Sequence, residues 1–123
     1  MTKKSVLTIG IDPHVVDLSG FPGLTPEKIA HGVGAEIGKL NELGYDAKSI
    51  FIDLGQTAES VVSAELATRS WDCIMLGAGL RMPPPYLLLF EKIINLVHAR
   101  APHAKLCFNT LPLDTAQAVQ RWV

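Results

Sequence analysis

Apolar residues in this chain fall into two kinds of run. SVLTIGI (5–11), KSIFIDL (48–54), WDCIML (71–76) and AKLCFN (104–109) are apolar on both faces or nearly so, as strands covered on each side must be. Between them, at 25–43, 57–69, 84–100 and 114–122, lie helical segments whose apolar residues recur every three or four positions. Four strands alternating with four helices predict repeated βαβ units with right-handed crossovers. The expected architecture is a three-layer α/β domain spanning residues 1–123. Its four-stranded parallel sheet has the order 2-1-3-4, with helices on both faces.

Local signals sharpen the boundaries. Thr25-Pro26-Glu27 offers an N-cap, a proline at the first helical position and an acid in the first turn. Asp114-Thr115-Ala116-Gln117 has the form of a capping box, and Gly44 closes the first helix after its apolar stripe of Ile29, Val33, Ile37 and Leu40. Beside that stripe Ala30, Gly34 and Gly38 recur every four residues, which predicts close approach of the helix backbone to the sheet. The one long irregular stretch is 12–24. In an open parallel sheet, ligands bind beyond the carboxyl ends of the strands where the strand order reverses, here between strands 1 and 3. The loops meeting there are 12–24 and the segment from Gly77 onward.

This layout resembles that of the flavodoxin-like and receiver-like group of small α/β proteins. Asp12 stands where receivers carry one of their acids. The end of strand 3 reads Leu76-Gly77-Ala78, without the receivers' phosphorylated aspartate, so the resemblance implies a fold and not receiver chemistry. From strand 3 onward the linear pattern GAGLR, LLLFEK, INLVH and CFNTLPLDTAQAVQRW is also similar to that of short bacterial and fungal proteins of unassigned function. That likeness implies a self-contained small protein and carries no reaction or catalytic residue.

Charge narrows the partners. Eleven Lys+Arg face twelve Asp+Glu, spread along the chain without a basic stripe, so neither nucleic acid nor an anionic membrane surface is expected. The opening MTKKSVLTIGID ends at Asp12-Pro13 without a cleavage pattern and reads as a first strand, not a secretion signal. No stretch reaches the roughly 18 apolar residues of a membrane helix. Two cysteines, Cys73 and Cys107, both lie in strand-like runs and read as buried thiols of a cytoplasmic protein.

Candidate chemistry concentrates at the switch point. Gly77-Ala78-Gly79 follows a strand directly, and amides in such a turn can hold a phosphate or carboxylate, with Arg81 adding a charge-assisted fork. The competing interpretation is a tight strand-to-helix turn, since Pro83, Pro84 and Pro85 remove donors where the next helix begins. Asp12, His14 and Asp17 form D-x-H-x-x-D; no metal site is expected from so undiagnostic a spacing, but Asp12 and His14 are candidates for an acid/base pair. Asn109, at the end of strand 4, is placed to orient a small ligand. The chain has no dinucleotide fingerprint, no Walker lysine, no flavodoxin phosphate turn and no nucleophile elbow, so no cofactor is expected.

The segment 86–97 carries Tyr86, Leu87, Leu89, Phe90, Ile93, Ile94, Leu96 and Val97 over about half its circumference, wider than one core-facing stripe requires. A homodimer, or another homo-oligomer, through this helix is the expectation. The functional expectation is a binding or interaction module with a small anionic ligand near Asp12, His14, Gly77, Gly79, Arg81 and Asn109. On that reading, alanine at Arg81 abolishes binding and leaves thermal unfolding nearly unchanged. The alternative is a small hydrolase or lyase with Asp12 or His14 as general base and Arg81 as anion clamp.

Overall fold

The computed structural model describes residues 3–123. Its strands are β1 (Ser5–Ile11), β2 (Asp46–Ile52), β3 (Cys73–Leu76) and β4 (Lys105–Phe108), all parallel in the order β2-β1-β3-β4. The helices are α1 (Pro26–Glu42), α2 (Ala58–Leu66), the single turn α3 (Ala78–Arg81), α4 (Leu87–Arg100) and α5 (Thr115–Gln120). This is the three-layer α/β architecture expected from the alternation, and it is compatible with a flavodoxin-like fold. None of the described helices is long and apolar enough to cross a membrane.

Strand alternation divides the core into two layers. Leu7, Ile9, Ile11, Ile74 and Leu76 meet Val62, Leu66, Leu89, Ile93 and Val97 of α2 and α4. On the other face Val6, Cys73, Met75 and Cys107 meet Leu40 of α1 and Ala116 and Val119 of α5. The two thiols are fully buried, with Sγ atoms 3.6 Å apart across β3 and β4. The contact with Cys107, then burial, pushes the Cys73 thiol up, so it stays protonated.

Helix boundaries follow local chemistry. Thr25 caps α1, its Oγ1 accepting from Lys28 N at 3.1 Å, with Pro26 at the first position. Gly44 ends that helix at φ +98°, a conformation that disfavours side chains. Expected at 48–54, β2 instead begins two residues earlier, where Asn41 Oδ1 accepts from Ala47 N at 2.9 Å. It stops at Ile52 because the Asp53 carboxylate turns the chain, accepting from the N–H groups of Gly55 and Thr57. The triple proline delays α4: Pro84–Tyr86 forms a 3-10 turn and regular helix starts at Leu87.

Two expectations are corrected. Gly34 and Gly38 are exposed, and a Cβ added at either would meet nothing within 4 Å, so neither marks a close approach of α1 to the sheet. Asp114 stands before α5 but turns its carboxylate back onto Thr110 and Leu111. The α5 amide of Ala116 is served instead by Glu36 of α1, a buried carboxylate 3.2 Å away. On α4 most of the broad apolar face is turned inward: Leu89, Ile93 and Val97 are buried, and Tyr86, Phe90 and Leu96 pack against the same core. The exposed apolar residues lie at its start, Leu87 and Leu88 with nearby Met82.

Glycines with opposite roles give a direct check. Gly32, helical and with open space around its missing Cβ, should gain about 0.5–1 kcal/mol of stability on replacement by alanine. Gly44→Ala should lose about 1–2 kcal/mol at its left-handed φ. Urea unfolding of both variants measures the difference in sign.

Candidate functional site

The two faces of the sheet differ in how they end. Toward the carboxyl edge, the residues facing α1 shrink from Val6 to Thr8 to Gly10 on β1, and from Cys73 and Met75 on β3 to Gly77 just beyond it. The opposite face keeps Leu7, Ile9 and Ile11 on β1. Helix α1 is seated by Leu40 on the lower layer and spans the upper one, where its own side contributes Ile29, Gly32, Val33 and Ile37. Between helix and sheet lies a cavity of about 510 Å³, within the usual range of small-molecule sites.

Its floor includes Thr8, Gly10, Met75 and Gly77. Its rim comes from Pro13, Val16 and Leu24 of the loop after β1, and from Leu111, Pro112 and Leu113 after β4. Leu24, Leu111 and Leu113 are 41%, 61% and 73% exposed, so large apolar side chains border the opening. Lys28 is the sole charged residue in the lining. The cavity sits at the β1/β3 switch point.

The structure brings some of the candidate residues together and separates others. Gly77, Gly79 and Asn109 line the cavity; Asp12, His14 and Arg81 do not. Asn109, 5% exposed, acts as a clasp between loops. Its Oδ1 accepts from Ala78 N at 2.8 Å, and its Nδ2 donates to Thr115 Oγ1 at 3.0 Å. The Ala78 amide is therefore occupied, and Gly77 N donates to Ile9 O at 2.9 Å, which leaves little of the turn to hold an anion.

Arg81 lies across the same clasp. Its Nη2 donates to the Asn109 carbonyl at 2.9 Å and its guanidinium stands 5.6 Å from the Phe108 ring centre, while the buried Nε has no hydrogen-bond partner. In this position the arginine binds β4 to α3 and does not form a fork over the cavity.

Asp12 and His14 do meet. Asp12 Oδ1 accepts from His14 N at 2.9 Å and lies 3.1 Å from His14 Nδ1, both side chains well exposed. The His14 amide, then the imidazole, holds the Asp12 carboxyl below its ordinary range. An acid so stabilised as the anion is a weak base, and its geometry suits orienting the imidazole. Asp17 is not part of the pair; it accepts from Ser19 N at 2.9 Å in its own turn.

Sequence reasoning missed Thr8, Gly10, Lys28 and Gly32. The signal for three of them was present, since Thr8, Gly10 and Gly32 are the small positions where large ones would fill a core. No protein-family model matches the chain, and no curated protein matches it.

Because Asn109 joins two loops through buried bonds, Asn109→Ala should cost about 1–3 kcal/mol. Contrary to the sequence-based expectation, Arg81→Ala should also lower stability, by about 1–2 kcal/mol, through the lost carbonyl bond and ring packing. Denaturant unfolding of the two variants checks both values.

Proposed function

We propose that this protein is a binding module for a small organic molecule with a largely apolar body, held between α1 and the carboxyl edge of the sheet. The observation that carries this reading is the cavity of about 510 Å³ where the strand order reverses, apolar in most of its lining. The anionic ligand expected from the sequence is retained, with its charge moved from Arg81 to Lys28, the charged residue of the lining. A homo-oligomer remains part of the proposal only through the start of α4, where Leu87, Leu88 and Met82 are exposed.

The enzyme reading has one observation in its favour, the Asp12–His14 pair. With Arg81 engaged at Asn109, the pair lacks the clamp that reading requires, and the binding reading is preferred.

A blocking variant tests the proposal. Leucine at Gly32 projects from α1 into open space, fills part of the cavity and improves helix propensity, so the variant alone should unfold at the same or a higher temperature. Ligand binding to the native state raises the apparent stability by RT ln(1 + [L]/Kd). In a thermal-shift screen of apolar acids, alcohols and aromatic metabolites, hits on the natural protein should vanish in Gly32→Leu. Hits that persist unchanged would place binding elsewhere.

A further inference from the structure

Thr8 is 4% exposed and lines the cavity, where its hydroxyl stands among mostly apolar neighbours. The other buried polar side chains beside the cavity, Asn109 and Thr115, are engaged with each other. Among the described residues Arg81 Nε is the buried side-chain polar atom left without a partner, so the Thr8 hydroxyl is not an orphan but a polar group that a mostly apolar lining offers to a ligand. The second polar feature is Lys28, exposed on the first turn of α1. Its Nζ donates to Gly23 O at 2.7 Å and retains two further N–H donors.

We infer that the ligand is an amphipathic organic acid: an apolar chain or ring body between α1 and the sheet, an oxygen function at the Thr8 hydroxyl, and an anionic group at the Lys28 ammonium. The inference rests on the binding reading above and specifies its ligand class. Apolar walls favour the body without orienting it; the hydroxyl and the ammonium fix its two polar points. Lys28 lies in solvent, so its attraction is modest and screened by salt.

Two ring probes of the same skeleton test the charge. 1-Anilinonaphthalene-8-sulfonate carries an anion that N-phenyl-1-naphthylamine lacks, and fluorescence titration reads both. The natural protein should bind the sulfonate about three- to fivefold more tightly, and Lys28→Met should remove that difference by weakening the sulfonate alone. For the hydroxyl, displacement of the neutral probe by ω-hydroxy acids of about eight to twelve carbons is compared with displacement by the parent acids. The hydroxy acids should be favoured about fivefold by the natural protein, and Thr8→Val, which keeps the shape of the side chain, should reverse the order.

Equal affinity for the two probes, or a preference unchanged in Lys28→Met, would overturn the charge assignment while leaving the cavity as a binding site. An order of acids unaffected by Thr8→Val would overturn the role of the hydroxyl. Failure of both probes to bind, or binding unaltered by Gly32→Leu, would overturn the binding reading and this inference together.

Discussion

The size of the side chains that β1 and β3 turn toward α1 is the constraint on which this structure depends. Val6, Cys73 and Met75 pack with Leu40, but further along the strands Thr8, Gly10 and Gly77 offer little or no side chain to the helix. An α-helix is a rigid rod of fixed diameter, so once seated on the lower layer it cannot sink into the upper one. On the sheet's other face Leu7, Ile9 and Ile11 pack against α2 and α4. Close packing and open space thus lie on opposite faces of the sheet.

The polar groups around the opening divide the same way. Asn109, Thr115 and Arg81 hold the loops after β3 and β4 in place, and their hydrogen-bonding capacity is largely consumed in doing so. Glu36 ties α1 to α5 at the amide of Ala116, fixing the helix that roofs the cavity. Thr8 and Lys28 are left facing or bordering the space. Residues that resemble a site in sequence therefore frame the cavity, and less conspicuous ones, Thr8 and Lys28, are among those that line it.

Much of the fold was legible in the sequence because it depends on patterns that survive without tertiary information. Strands apolar on both faces, Thr25-Pro26 before a helix and Gly44 after it, and a first strand in the centre were enough for the order β2-β1-β3-β4. The site was less legible. Gly77 and Asn109 stand where the topology placed them, but the engagement of Arg81 with a backbone carbonyl leaves no trace in sequence spacing. Ala30, Gly34 and Gly38 resembled a packing stripe because their spacing reports helical phase and not what lies across from it. Gly32 faces the cavity, while Gly34 and Gly38 are exposed.

The central claim is that the α1 face of the sheet, and not the α4 face, admits a ligand. Methyl NMR measures this most directly, by titrating decanoate into protein labelled at methionine, threonine, isoleucine, leucine and valine methyls. The account predicts saturable shifts at Met75, Thr8, Ile29 and Val33, with Leu89, Ile93 and Val97 unmoved. Shifts centred on the α4 layer, or none at the α1 face up to saturating ligand, would contradict it.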